Sequence, residues 1–260
     1  MNFERLLPER GQVDARAAAS ALRELAEPRA DRPYVVLNMV STADGRVTVG
    51  GRSGPIGNEA DRELFHELRA QVDAVMAGAG TVRAERYGRI VRDPDRRARR
   101  EEAGLAPDPL AVIVSGRLAL TPDIPLLQDP DSRVVILTAS DMEIDGCGAR
   151  VDYLRADGAT GAAEELQDRA PRLTLAPLLR RLREEYGVGT ILCEGGPHLN
   201  GALLQEELVD ELFLSVAPKL AAGTGPAVVE GPAIDPPLEM SLVSAMEAGG
   251  HLFLRFLLPG

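Results

Sequence analysis

Apolar residues in this chain fall into two rhythms. Short unbroken runs at residues 34–40 (YVVLNMV), 73–77 (DAVMA), 110–114 (LAVIV), 133–138 (RVVILT) and 190–193 (TILC) read as strands covered on both faces. Between them lie stretches with helical spacing. Residues 14–27 (DARAAASALRELAE) open on Asp14 and stop at Pro28, and Asn58 caps a segment reaching about Gln71 with Leu64, Phe65 and Leu68 as its stripe. Residues 175–186 (LAPLLRRLREEY) end at Gly187, and Leu199, Leu203 and Leu204 follow Pro197 at helical intervals. Further strands are predicted at 150–154 (an edge), 209–218, 238–243 and 251–258, the last two joined into a hairpin by Gly249-Gly250. The polar, Arg-rich segment 89–108 reads as a long loop or an exposed helix. Helices alternate with strands early and strands dominate late. That order predicts an α/β fold with a mixed, mainly parallel central sheet, antiparallel C-terminal strands and helices on both faces.

Composition narrows this picture. With 260 residues and 45% hydrophobic content the chain can bury a large core, and the absence of a linker-like segment favours one domain over two. A net charge of −11 argues against nucleic acid or an acidic membrane as partner. The basic knot Arg96-Arg97-Ala98-Arg99-Arg100 is followed at once by Glu101-Glu102 and reads as a solvated helical face. Lys219 is the only lysine. Cys147 and Cys193 lack zinc-ligand spacing, so no metal site is expected and both read as reduced thiols. With neither an apolar leader nor a window of membrane-spanning length, the expected location is the cytoplasm.

Candidate chemistry gathers at strand ends. Residues 190–205 form a strand-turn-helix junction in which Gly195 and Gly196 let backbone approach a ligand, with the helix N-terminus aimed at an anion such as phosphate. Glu194 stands beside them as a catalytic carboxylate, the alternative being acceptance of turn N–H groups. Asp44, in the Asp-Gly turn after residues 34–40, is the second catalytic candidate, its alternative being a plain turn former. Gly78-Ala79-Gly80 is another glycine-rich strand exit, but Arg83 stands where a dinucleotide fingerprint needs its third glycine. Ser115 and Arg117 follow a strand and suit a phosphate, although a turn explains Ser-Gly equally well. His66 has no metal-spaced partner and reads as structural.

Six segments together resemble the pyrimidine reductase family of riboflavin biosynthesis, whose members have the three-layer dihydrofolate-reductase-like fold. They are NMVSTADGRV from Asn38, GRSGPI from Gly51, LRAQVDAVMAGAGTVRAE from Leu68, VIVSGR from Val112, ILCEGGPHLNGALLQ from Ile191 and VDELFLSVAPKLAAG from Val209. The likeness covers nearly the whole chain after Arg32, so residues 31–260 are expected to form one reductase domain and residues 1–30 a helical extension. The resemblance implies reduction by NADPH of 5-amino-6-(5-phosphoribosylamino)uracil to its ribitylamino product. It implies cofactor contacts at Val40, Pro55, Thr81, Glu85, Ser115 and the segment Gly196 to Ala202, which includes Pro197, His198, Leu199 and Asn200, beside the paired Gly195. The Ser115-Gly116-Arg117 loop, through its hydroxyl or its Arg117 cation, is the candidate receiver of the cofactor's 2′-phosphate. Substrate contacts are implied at Ser53, Arg69, Arg92 and Glu194, with Arg69 as a phosphate clamp, and at Asn38, where many bacterial members carry Lys. The chain has no HxE and no PCxxC, so the zinc deaminase often fused to bacterial members is not expected here. Two other readings stay open: reduction of another heterocycle such as dihydrofolate, and NADPH binding without catalysis. The family resemblance favours a homodimer.

Overall fold

The computed structural model describes residues 1–25, 29–156 and 173–259. In chain order the elements are β1 (Asn2–Leu7), β2 (Gly11–Asp14), α1 (Ala15–Leu25), β3 (Tyr34–Thr42), α2 (Glu59–Arg69), β4 (Ala74–Gly78), α3 (Ala79–Ala84), α4 (Pro94–Glu102) and β5 (Leu110–Val114). They continue as α5 (Pro125–Gln128), β6 (Arg133–Thr138), β7 (Arg150–Arg155), α6 (Ala176–Tyr186), β8 (Thr190–Cys193), α7 (Pro197–Gln205), β9 (Glu211–Ala217), β10 (Ser241–Ala248) and β11 (His251–Leu257).

Among the described residues all eleven strands join one sheet in the order β2-β1-β10-β11-β9-β3-β8-β4-β5-β6-β7. From β9 to β7 every pairing is parallel, and from β9 back to β2 every pairing is antiparallel. The unbroken apolar strands β4, β5, β6 and β8 occupy the parallel part, where helices cover both faces. One face packs Ala19 and Leu22 of α1 with Leu64 and Leu68 of α2. The other packs Leu178, Leu179 and Leu182 of α6 with Leu199 and Leu203 of α7. Strand β8 enters between β3 and β4, and Asp73 fixes its start by accepting from the Gly189 and Thr190 N–H groups at 2.9 and 2.8 Å.

Three expectations need correction. The N-terminal stretch is more than a helix: β1 and β2 form a hairpin ahead of α1, and β1 extends the sheet beyond β10. Phe3 is fully buried, edge-on to Phe253 at 5.0 Å, while the short polar strands carry too little periodic signal to read in advance. The predicted helix end at residues 26–28 lies outside the described residues. Second, the Arg-rich helix α4 is no solvated face. Arg96 and Arg99 pair with Glu67 of α2, and Arg100 is 1% exposed, donating to the Arg69 and Val72 carbonyls that α2 and the following turn leave open. Third, β10 lies C-terminal to the predicted 238–243, because the Gly249-Gly250 turn pairs Ala248 with His251 and counts the register back from there.

Candidate active site

The C-terminal ends of β3, β4 and β8 open into a cavity of about 800 Å³, walled by α2 on one side and by residues 84–93 on the other. Such a position, where parallel strands end, is where open α/β sheets bind ligands.

Two glycine-bearing junctions form its floor. The Gly78 N–H donates to the Gly195 carbonyl at 2.8 Å, which locks the β4–α3 turn against the β8–α7 turn. Gly195 has φ +82°, a conformation that favours glycine, and a Cβ on Gly196 would stand 3.0 Å from Thr81 Oγ1. Helix α7 starts at Pro197 without a side-chain cap, so the first-turn N–H groups of His198 and Leu199 stand beside the cavity. Backbone amides, the Thr81 hydroxyl and close-packed glycines are a donor set that fits a dinucleotide diphosphate.

Glu194 continues β8 into the cavity, with its N–H on the Met76 carbonyl at 2.9 Å. Arg69, from the last turn of α2, grips it from Nε to Oε1 at 2.7 Å and from Nη2 to Oε2 at 2.8 Å. Nη1 of Arg69 donates to the Ile90 carbonyl at 3.1 Å. Burial opposes the Arg69 charge, but the adjacent Glu194 outweighs it and holds the guanidinium protonated. The Tyr87 hydroxyl donates to Glu194 Oε2 at 2.5 Å, and burial followed by the neighbouring carboxylate push its pKa well above 10. The phosphate-clamp reading of Arg69 is thereby revised: its fork is already filled by a carboxylate.

Although the chain is acidic, the cavity wall carries six arginines: Arg62, Arg69, Arg86, Arg89, Arg92 and Arg96. Arg69 pairs with Glu194, Arg86 with Asp123, Arg89 with Asp129, and Arg96 with Glu63 and Glu67. Arg62 and Arg92 make no ion pair among the described residues, and Arg92 lies over Gly88 at the mouth. The unpaired positive charge at the cavity therefore sits on these two.

The remaining predicted residues divide cleanly. Asn38, Val40, Ser53, Thr81, Glu85, Pro197, His198 and Leu199 line the cavity with those above. Asn38 and Val40 are the two half-exposed residues of β3, and Ser53 donates from its N–H and its hydroxyl to Glu85 Oε1 at 2.8 and 2.9 Å. Asp44, Pro55, Ser115, Arg117, Gly195 and Asn200 do not line it. Asp44 is tied down as a turn carboxylate: the Thr42 hydroxyl and the Ala221 and Ala222 N–H groups donate to it and pull its pKa to about 2. Its catalytic reading is withdrawn. The Pro55 carbonyl accepts from Lys219 Nζ at 2.7 Å, as does that of Ile56 at 2.9 Å. Ser115 Oγ accepts from the Ala119 N–H, and Arg117 is exposed beside it. Asn200 is fully buried and donates to the Val228 carbonyl, so it holds residues 228–231 across α7.

Sequence reasoning missed Tyr87, Arg62, Phe65 and Asp61 as cavity residues. For Arg62 and Phe65 a signal existed, since both share a face of α2 with Arg69 at intervals of seven and four. For Tyr87 there was none. His66 lines the same wall, and burial together with Arg69 and Arg96 lowers its pKa. Among the described residues no three His, Cys, Asp or Glu side chains gather as a metal site, and no helix is long and apolar enough to cross a membrane.

Known proteins agree with this architecture. The family model of the RibD C-terminal domain matches residues 33–254. A 2,5-diamino-6-ribosylamino-4(3H)-pyrimidinone 5′-phosphate reductase of Methanothermobacter thermautotrophicus is 30% identical over 233 residues, covering 88% of this chain and all of that protein. The riboflavin biosynthesis protein RibD of Mycobacterium tuberculosis is 32% identical over 221 residues, 84% of this chain but 52% of that protein. The crystal structure of a pyrimidine reductase-like protein from Corynebacterium diphtheriae superposes with a TM-score of 0.75 at 19% identity, covering 95% of this chain and 100% of that one. The chain belongs to the RibD C-terminal domain family and has the dihydrofolate-reductase-like fold of its reductases.

Proposed function

We propose that the cavity is the active site of an NADPH-dependent reductase of riboflavin biosynthesis acting on a ribosylaminopyrimidine 5′-phosphate. The observation that carries this reading is the convergence of three features in one cavity: the paired glycine junctions, the Arg69-anchored Glu194, and the unpaired Arg62 and Arg92 at the wall.

NADPH, when bound, supplies a hydride. Gly78, Thr81, Gly196 and the first turn of α7 would hold its diphosphate, and the Ser53–Glu85 pair lines the same cavity. Opening the ribosylamine ring breaks the C1′–O4′ bond, O4′ taking a proton from water, and leaves C1′ doubly bonded to a protonated nitrogen; hydride addition at C1′ then gives the ribitylamine. Glu194, fixed by the Arg69 fork, faces that cation as a carboxylate and stabilises it instead of donating a proton. Arg92 and Arg62 bind the 5′-phosphate, and Asn38 offers an amide to the heterocycle. The exposed Arg117 is the guanidinium proposed to select the 2′-phosphate.

The test is NADPH oxidation with three substrates: 5-amino-6-(5-phosphoribosylamino)uracil, its 2,5-diamino-pyrimidinone counterpart, and dihydrofolate. Turnover of either ribosylamine supports the reading and tells the two apart. Turnover of dihydrofolate alone, or cofactor binding without any turnover, would remove it. Glu194→Gln is expected to lower kcat about 100-fold with NADPH affinity unchanged, the scale of losing one preorganised electrostatic partner. An unaltered kcat would make Glu194 structural. Arg92→Ala is expected to raise KM for the phosphorylated substrate about tenfold.

A homodimer is part of the proposal. On β11, Phe253 and Arg255 turn inward, Arg255 onto Glu211, while Leu252 stays 40% exposed and Leu242 of the paired β10 43%. This apolar sheet face is the candidate contact. A monomer in light scattering, unaffected by Leu252→Arg, would refute it.

A further inference from the structure

We propose that Tyr87 is a positioning residue for the reduction, acting through Glu194 by saturating one carboxylate oxygen and leaving the other as the acceptor for a bound substrate. The inference rests on the reaction proposed above. It begins with the lone pairs of Glu194. A carboxylate offers about four acceptor sites, two on each oxygen. Oε2 receives Arg69 Nη2 and the Tyr87 hydroxyl, whereas among the described residues Oε1 receives only Arg69 Nε. The open site is therefore on Oε1, and removing the phenol hydroxyl would make the two oxygens equivalent.

Tyr87 is built for this task. It closes the turn after α3, with its N–H on the Val82 carbonyl at 3.1 Å and its carbonyl accepting from Leu126 N–H at 2.8 Å, so its backbone is held from both sides. Its ring flanks the Arg69 guanidinium at 5.4 Å, and the Phe65 ring lies at 4.1 Å. Both rings therefore pack on the guanidinium that holds Glu194. Burial and the Glu194 charge keep the phenol protonated, so it remains a donor throughout the neutral range.

The experiment compares wild type, Tyr87→Phe, Glu194→Gln and the double variant. Tyr87→Phe keeps the ring over Arg69 and removes only the hydroxyl. Its kcat is expected to fall about tenfold, the effect of losing one hydrogen bond to a charged group, with NADPH affinity and KM changed less than about twofold. Because Tyr87 acts through Glu194, the phenylalanine change is expected to cost almost nothing more in the Glu194→Gln background. A kcat for Tyr87→Phe within twofold of wild type, or losses that multiply in the double variant, would overturn the assignment. A second measurement needs no turnover: in alkaline titration of phenol absorbance, Glu194→Gln should bring ionisation of one of the four tyrosines to lower pH, and an identical curve would refute the hydrogen bond. Failure of the wild type to reduce either ribosylamine removes the reaction itself. Normal wild-type turnover with an unaffected Tyr87→Phe removes only the role of Tyr87.

Discussion

Arg86 has φ +48° at the position after helix α3 where such turns normally place glycine, and its N–H reaches the Arg83 carbonyl at 3.3 Å while Tyr87 reaches Val82. The left-handed conformation costs a residue with a Cβ about 1 kcal/mol. Its ion pair with Asp123, at 3.6 Å between exposed side chains, returns little. Arg86→Gly is therefore expected to stabilise the fold by up to about 1 kcal/mol, a rise of a few degrees in Tm, without displacing Tyr87. A lowered Tm would show that the arginine contributes packing. Asp44 gives the converse test. Among the described residues Asp44 bonds to Thr42, Ala221 and Ala222, none of which lines the cavity, so Asp44→Asn should keep kcat within about twofold. At this scale the sequence was a partial guide. Glu194 stood out as a carboxylate at the end of a buried strand beside paired glycines, whereas Tyr87 came from an unpatterned loop whose path depends on the positive φ of Arg86 after α3.

Helix α7 meets residues 228–231 so closely that a Cβ on Gly201 would collide with the Glu230 carbonyl, a backbone atom that cannot step aside alone. Gly201→Ala is expected to destabilise the protein by roughly 1–3 kcal/mol, measured by denaturant unfolding. The wall opposite α2 depends on Arg89, whose fork holds Asp129 at 2.8 Å from both Nε and Nη2. The Arg89 contact, with help from Ser132, draws the Asp129 pKa down to about 2. A depressed folded pKa stabilises above the unfolded value of about 4 and the effect disappears as pH falls toward 2, so this contact should outlast most surface carboxylate pairs on acidification. A carboxyl titration midpoint for Asp129 near 4 would contradict it. Elements with strong periodicity, such as α2, α6 and the buried strands, were legible in advance. Helix α4 was found at a place where only loop or exposed helix was foreseen, because its burial comes from ion pairing with Glu67, a tertiary fact that charge density conceals.

Across the whole molecule, the sheet binds its two chain ends together: β1 pairs with β10 beside β11, so the first and last strands share one antiparallel edge. Phe3 is the fastening. Phe3→Ala is expected to cost about 3 kcal/mol, seen as a lowered Tm with cofactor affinity retained, because the hairpin lies far along the sheet from β8. Parallel order near the centre followed from the alternation of helices and strands, while the N-terminal hairpin did not, since strands of six and four residues with exposed polar faces declare themselves only through their partner.

The lone lysine carries a practical consequence. Lys219 offers three protons and spends two of them on the Pro55 and Ile56 carbonyls, pinning the loop that presents Ser53. Any acylating dye or crosslinker has this single internal ammonium to attack, so stoichiometric labelling would both mark and unfasten that loop, turning a reagent usually chosen for indiscriminate tagging into a probe of one loop.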